Sequence, residues 1–222
     1  MGISLWAMFR VKSVYRKFSE VGAASGASGA QVAAAILDRA GIRDVEIVEM
    51  DEMLGDHYDP IHKRLVLSSE NYHGRSLAAL GVSAHECGHA IQHHIAYAPL
   101  HWRMGAVGIT TFANQLLFPV GVLGLSMGLI APRTAFAVLA GCWGVIMLFN
   151  LVTLPVEFDA SRRAKVILAD MGFIGTRQEM DGVKRTLDAA GWTYVAAFLT
   201  SLAYFLYYLL PLLTGGGRSR ED

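Results

Sequence analysis

The stretch Gly105–Ile130, with the sequence GAVGITTFANQLLFPVGVLGLSMGLI, contains no charged residue. Two further uncharged runs follow it, at Ala135–Pro155 and Ala189–Gly217. A helix of about 20 apolar residues spans the hydrocarbon core of a bilayer, so each run is long enough to cross. We therefore predict a mainly α-helical membrane protein with about three transmembrane helices, at 106–130, 135–154 and 193–213. The turn Ala131-Pro132-Arg133 makes the first two a helical hairpin.

The composition supports this prediction. Of the 222 residues, 53% are hydrophobic and only 17% are charged, whereas a typical soluble domain has about 25% charged residues. The alternative is three buried core helices of a soluble protein, but such runs leave too little polar surface to cover them. The 19 basic residues equal the 19 acidic ones, and without a basic surplus we expect no nucleic-acid partner.

The chain on either side of these runs indicates smaller elements. Ile3–Phe9 is apolar but too short to span a bilayer, so it is either an interfacial stub or the remnant of a span. Periodicity predicts a helix at 31–40, strands at 45–50 and 64–68, and a helix from the N-cap Ser76 to about Ala96. We expect the strand at 64–68 to be an edge strand that pairs with an extended substrate.

The helix after Ser76 carries the sequence His85-Glu86-Cys87-Gly88-His89. Histidines four residues apart lie on one helical face, so both imidazoles can reach one metal ion. Zinc suits a site of two imidazoles and a third ligand, and Glu86 is placed to deprotonate a water there. With two cysteines in the chain, a cysteine-based zinc site is excluded. Cys87 is either a small helix residue or a fourth ligand.

The third ligand must come from another segment. An extended three-histidine pattern would need a histidine at position 95, which is Ile95. His93 lies one further helical turn along, about 5.4 Å beyond His89, which favours a surface position. Glu157 follows the second span, and two crossings return the chain to the side of the histidines. Glu157 is therefore the candidate ligand, the alternative being a carboxylate that stabilises a helix N-terminus. Ser161, four residues later, shares its face and is a candidate to support the site.

Several segments together resemble the YugP-like neutral zinc metallopeptidases of bacterial membranes. They are 56–60 (DHYDP), 84–92 (AHECGHAIQ), 97–100 (YAPL), 151–164 (LVTLPVEFDASRRA) and 189–197 (AAGWTYVAA). The resemblance runs from about Val11 to Leu213. It implies a membrane zinc endopeptidase of the gluzincin type, with one Zn²⁺ per chain held by His85, His89 and Glu157 and with Glu86 as the general base. The implied substrate is a polypeptide, unfolded or close to the membrane.

The resemblance also implies a zincin-like catalytic domain with a small β element beside the transmembrane helices. We divide the chain accordingly into five segments: an apolar stub and basic segment at 1–20, a zincin-like domain at 21–104, a transmembrane hairpin at 105–155, a third-ligand helix and cytoplasmic segment at 156–191, and a last transmembrane helix with its tail at 192–222.

The distribution of basic residues predicts the orientation. All but three of the 19 lysines and arginines lie on the side of the histidine helix, the exceptions being Arg133, Arg218 and Arg220. Because basic residues near spans stay inside the cell, we expect an integral protein of the bacterial inner (plasma) membrane whose active site faces the cytoplasm. A different class of function is a catalytically silent, metal-binding membrane scaffold.

Four further residues are candidates to stabilise the oxyanion of peptide hydrolysis. Zinc peptidases use a tyrosine, histidine or arginine for this task. His57 and Tyr58 lie in a polar turn, where a purely structural role is the alternative, and Arg162 and Arg163 follow Glu157 closely. The sequence does not choose among the four.

Overall fold

The computed structural model describes residues 2–51 and 55–214. The tail of the last predicted segment, with Arg218 and Arg220, lies outside this range. The described chain forms seven α-helices, three strands and one π-helical segment, Pro119–Ser126. The elements in chain order are α1 Gly2–Ser19, α2 Gly29–Arg39, β1 Glu46–Met50, β2 His57–Asp59, β3 Arg64–Ser68, α3 Ser69–His73, α4 Leu77–His94, α5 Ala98–Phe118, α6 Pro132–Asp170 and α7 Arg177–Thr214. The mainly helical prediction is confirmed.

Helices α2 and α4 both begin at serine caps. The cap at Ser76 is where the sequence predicts it, whereas α2 begins two residues before the predicted start at 31. The Ser28 hydroxyl accepts the backbone N–H of Gln31, and the Gln31 side chain accepts that of Ser28, which forms a reciprocal capping box. The Ser76 hydroxyl accepts the backbone N–H of Ala79 in the same way. The Ser76 cap fixes the residue at which α4 starts, and with it the direction of every side chain on α4.

The three strands form one small sheet in the order β1-β3-β2. β1 pairs parallel to β3, and β2 pairs antiparallel to it. The expectation that 64–68 is an edge strand is therefore wrong, because β3 has a partner on each side. Leu65 and Leu67 are completely buried, and this burial explains the central position of β3.

The sheet, α2, α4, the second half of α6 and the first half of α7 enclose one apolar core. Helix α4 lies at its centre, and most of its residues are buried. The core contains apolar residues from each of these elements, among them Ile36, Leu65, Leu80, Leu168 and Val183. A helix buried on several sides holds its polar side chains in fixed positions, because a wrong rotamer would clash.

Three helices are long and apolar enough to cross a membrane: Ala98–Ser126, Pro132–Asp170 and Arg177–Thr214. Their number matches the three predicted spans. α6 has 39 residues, so it is about 58 Å long at 1.5 Å per residue, about twice the hydrocarbon thickness. The second half of α6 and the first half of α7 therefore extend out of the bilayer into the core. The predicted boundaries at 155 and 191 fall within these continuous helices.

The N-terminal apolar stretch Ile3–Phe9 is part of α1, which packs along α7 in the opposite direction. The hydroxyls of Ser4 and Thr200 lie 3.0 Å apart, and the Trp6 ring meets that of Trp192 edge to face. Nearer its other end, α1 places Phe18 against Gly182. α1 therefore runs alongside the start of the third predicted span and continues to the core.

Candidate metal centre

His85, His89 and Glu157 converge on one point between α4 and α6. The Oε2 atom of Glu157 lies 3.2 Å from Nε2 of His85 and 3.6 Å from Nε2 of His89. One ligand atom from each of the three side chains lies within 4.8 Å of the others. All three side chains are largely buried, Glu157 with only 3% of its side chain exposed. The structure thus brings together the two helical histidines and the acid that sequence reasoning paired with them.

Close packing of two helices produces this convergence. At Gly88, between the two histidines, a Cβ atom would lie 2.8 Å from the backbone oxygen of Ala160. Only glycine allows α4 to approach α6 so closely at this point. Glu157 is one helical turn before Ala160 on α6, so the same contact sets the distance between the carboxylate and the imidazoles.

Gln92 fixes the orientation of the His89 ring. Its Nε2 donates to the Val156 backbone oxygen at 2.8 Å and to an Asp159 carboxylate oxygen at 2.9 Å. The Gln92 Oε1 must therefore accept, and it lies 3.0 Å from Nδ1 of His89. With one proton fixed on Nδ1, the ring presents Nε2 to Glu157, and this nitrogen can bind a metal once it has lost its own proton. In most metal sites, the ring nitrogen of a histidine that does not bind the metal has such a hydrogen-bond partner.

Neighbouring side chains also contact His85 and Glu157, as Gln92 contacts His89. Nδ1 of His85 lies 3.1 Å from the Ser161 hydroxyl, so Ser161 contacts the first histidine, which is consistent with its place on the Glu157 face. The second carboxylate oxygen of Glu157, Oε1, accepts from Nη1 of Arg103 at 3.1 Å. Arg103 lies on α5 and links the first membrane helix to the centre. The two Glu157 oxygens therefore have separate partners, the imidazoles on one side and the guanidinium on the other.

The charges at the centre attract cations. Burial lowers the pKa of His89, but a hydrogen bond donated to Glu157 and the negative charges of Glu86 and Glu157 outweigh burial and raise this pKa above its ordinary value. The same negative potential favours a metal cation. A metal that binds His89 would displace a proton from Nε2, because metal-bound histidine is neutral.

The donor set and its spacing fit zinc. Zinc binds imidazole nitrogen and carboxylate oxygen at about 2.0–2.2 Å, so two ligands on a tetrahedral ion lie about 3.4 Å apart. The distances of 3.2 and 3.6 Å from Glu157 to the two histidines agree with this spacing. Three protein ligands leave the fourth position of a tetrahedral ion open, as in catalytic zinc sites.

Glu86 lies beside the centre on the same helix as the histidines. It is buried, with 8% of its surface exposed, and together with His85 it lines a cavity between α1, α4 and α7. Tyr194 of α7 lines the same cavity. A carboxylate in this position can exchange a proton with a molecule bound next to the metal ligands.

The structure places His57 and Tyr58 in β2, outside the group of metal ligands. Nδ1 of the exposed His57 hydrogen-bonds to the backbone oxygen of Gly55, and the Tyr58 hydroxyl lies 2.9 Å from Nδ1 of His93. Burial and the carboxylates of Asp44 and Asp59 raise the pKa of Tyr58 to about 12. These contacts favour the structural roles that the sequence left open for both residues.

Arg162 and Arg163 also pair away from the ligands. Both contact the buried carboxylate of Asp159, which in turn accepts from Gln92. Cys87 faces the opposite side of α4, where its thiol donates to the Ala33 backbone oxygen at 3.7 Å. Burial, reinforced by the charge of Glu86, raises the pKa of this thiol. Cys87 therefore packs as a small core residue.

Sequence reasoning missed two residues of the centre, Gln92 and Arg103. Gln92 carried a usable signal, because it stands three residues after His89 and so lies on the same helical face. Arg103 carried no such signal, since it lies 54 positions from Glu157 along the chain. Only the packing of α5 against α6 brings its guanidinium to the carboxylate.

Comparisons with known proteins agree with this geometry. The sequence model of a family described as "Putative neutral zinc metallopeptidase" matches residues 1–213. A protein of Bacillus subtilis (strain 168) named "Putative membrane protease YugP" is 42% identical over 218 residues, which cover 97% of this chain and 94% of that protein. No solved structure matches the chain.

Proposed function

The chain belongs to the neutral zinc metallopeptidase family, and from this premise we propose that it is a membrane-embedded zinc endopeptidase. His85, His89 and Glu157 hold one zinc ion per chain, and Glu86 is the general base. The observation that carries the proposal is the convergence of two imidazoles and one carboxylate, distant in sequence, at the spacing of zinc ligands.

A zinc ion at this centre would supply a Lewis acid that polarises the peptide carbonyl and lowers the pKa of a water molecule. Glu86 accepts a proton from the attacking water as its oxygen bonds to the carbonyl carbon. Glu86 then gives that proton to the amide nitrogen as the carbon–nitrogen bond breaks. Gln92 and Ser161 hold the two imidazoles in place throughout, so that these rings need no reorientation during the reaction.

The membrane helices determine where this reaction takes place. Glu157 follows the second predicted span by three residues, so the centre lies close to the bilayer surface. Because most basic residues share its side, we place the centre in the cytoplasm, at the plasma membrane of a bacterium. Its substrates are polypeptides that are unfolded or that emerge from the membrane, since a folded domain could not reach a buried centre.

Metal content and cleavage together test the proposal. We expect about one zinc per chain by elemental mass spectrometry in the detergent-purified protein, and much less in Glu157→Ala. Asp170→Ala is the matched control, because Asp170 is an exposed acid on the same helix. Glu86→Gln should retain zinc but lose cleavage of an unfolded protein such as casein.

Each unfavourable result has a defined meaning. Zinc retained in Glu157→Ala removes Glu157 from the ligand set. Full cleavage by Glu86→Gln removes the general base. Zinc without any cleavage by the wild-type chain, across a broad panel of unfolded polypeptides, replaces the peptidase with a metal-binding membrane scaffold.

A further inference from the structure

A cavity of about 150 Å³ opens beside the catalytic carboxylate. Its walls come from three helices that are far apart in the sequence, and Asp56, the residue before β2, completes the lining. Its lining residues are Val82, His85 and Glu86 from α4, Val11 and Tyr15 from α1, Thr186, Leu187, Ala190 and Tyr194 from α7, and Asp56. A group in this cavity therefore touches the general base and a metal ligand at once.

The polar groups of three lining residues, Tyr15, Thr186 and Asp56, are occupied by the protein itself. The Tyr15 hydroxyl donates to Oδ1 of Asn71 at 2.8 Å, and the Thr186 hydroxyl donates to the backbone oxygen of Gly182. Asp56 accepts from the Ser68 backbone N–H, the Ser68 hydroxyl and Nδ2 of Asn71. Away from the catalytic groups, a ligand would therefore contact mainly Tyr194 and the apolar side chains of Val11, Val82, Leu187 and Ala190.

The charges around the cavity disfavour ionic side chains. Asp56 and Glu86 repel an acidic group, and the lone pairs of Asp56 are already engaged with Ser68 and Asn71. A basic group would lose its water and find only the carboxylate of Glu86 free to accept. Pairing with that carboxylate would occupy the general base of the proposed reaction. An apolar group has no bound water to lose, and burial of its surface stabilises the complex.

We propose that this cavity is the subsite that selects the substrate, by accepting one apolar side chain next to the scissile bond. This inference rests on the proposed peptidase function. An apolar cavity of about 150 Å³ can hold a benzene ring, so leucine, methionine and phenylalanine fit. Helix α1 supplies one wall through Val11, which gives the N-terminal helix a part in specificity.

The test uses a series of peptides that are identical except for leucine, phenylalanine, alanine, aspartate or lysine at one position. Mass spectrometry measures the cleavage of each peptide by the zinc-loaded full chain, and fluorescence anisotropy measures its binding to Glu86→Gln. We expect leucine and phenylalanine to be preferred over alanine by ~10-fold or more, with aspartate and lysine weaker still.

Two variants fill the cavity from opposite walls, Ala190→Leu from α7 and Val11→Phe from α1. Each should reduce the preference for leucine over alanine by ~10-fold at unchanged zinc content. Ala203→Leu is the control, because it makes the same change on an exposed face of α7. The use of two walls keeps the test valid if one variant fails to fold.

The outcomes separate the two proposals. The subsite is overturned if both filled variants keep the preference for leucine over alanine. It is also overturned if the wild type prefers lysine or shows no preference among the five side chains. In each case, the observed cleavage still upholds the peptidase. Selective binding of apolar peptides to Glu86→Gln without any wild-type cleavage supports the subsite and overturns the peptidase. Neither binding nor cleavage overturns both.

Discussion

At the scale of single residues, Gln92 connects the two helices that carry the metal ligands. It is completely buried, and both ends of its amide are in use: one fixes the proton of His89, and the other holds α6 through Val156 and Asp159. A glutamine side chain is uncharged, so it orients the ligand without adding a third carboxylate to a site that already contains Glu86 and Glu157.

Replacement of Gln92 by methionine should weaken zinc binding by ~10–100-fold. The methionine keeps the length of the side chain but leaves His89 without the acceptor that selects its tautomer. Competition with a fluorescent chelator measures the zinc dissociation constant. Gln178→Met, an exposed change on α7, should leave this constant unchanged. An unaltered constant in Gln92→Met would show that packing alone orients His89.

At the scale of elements, the centre depends on one close helix crossing. Gly88 is the contact point of α4 with α6, and the ligands lie within one turn of it on each helix. Cores resist displacement because they are densely packed, so any atom added at this point must move the ligands apart or distort a helix.

We expect Gly88→Ala to reduce zinc affinity and thermal stability together. The added methyl group would lie within 2.8 Å of the Ala160 oxygen, a distance that real contacts avoid. Gly81→Ala is a matched control on the same helix, because its new Cβ would have an ordinary contact of 3.5 Å with Val183. If both variants bind zinc as the wild type does, the close crossing does not set the ligand distances.

The start of α7 gives a prediction about pH. Glu179 accepts the backbone N–H groups of Ala24, Gly175 and Thr176, and these hydrogen bonds lower its pKa below the ordinary value of 4.5. A carboxyl with a lowered pKa stabilises the fold above its unfolded-state pKa, and this contribution is lost as the pH falls toward the folded-state value.

Glu179→Gln should therefore be less stable than the wild type near pH 7, by about 1 kcal/mol as for a lost helix cap. The difference should shrink as the pH falls below 4.5 toward the lower folded-state pKa, because the wild type loses its charge there. Thermal unfolding in detergent at a series of pH values measures this. Asp181→Asn, an exposed change two residues later, should show no such convergence, and a constant difference for Glu179→Gln would exclude the charge as its cause.

At the scale of the whole molecule, the sequence was most informative where the signal is local or follows from topology. The uncharged runs predicted the three membrane helices, the four-residue spacing predicted the paired histidines, and the parity of the spans placed Glu157 beside them. The central position of β3 and the contact of Arg103 with Glu157 were not predictable, because both depend on packing between distant segments. A local pattern of residues does not indicate which distant segments pack together.

The orientation of the molecule can be tested by labelling. Arg133 is exposed in the first turn of α6, and Arg177 is exposed at the start of α7, so the two mark opposite ends of the membrane helices. In intact spheroplasts a membrane-impermeant maleimide should label Arg133→Cys but reach Arg177→Cys only after permeabilisation. Both native cysteines are buried, so background labelling should be low. The reverse pattern would place the metal centre outside the cytoplasm.

The continuity of α6 has a geometric consequence for any substrate that is itself anchored in the membrane. One unbroken helix carries both the second span and Glu157, so the metal centre has a fixed height, about 4.5 Å along the axis beyond the last residue of that span. In the proposed peptidase, a bond of an anchored substrate must therefore lie at this distance from the bilayer to reach the centre. The proposed subsite can then select only among side chains presented at that height.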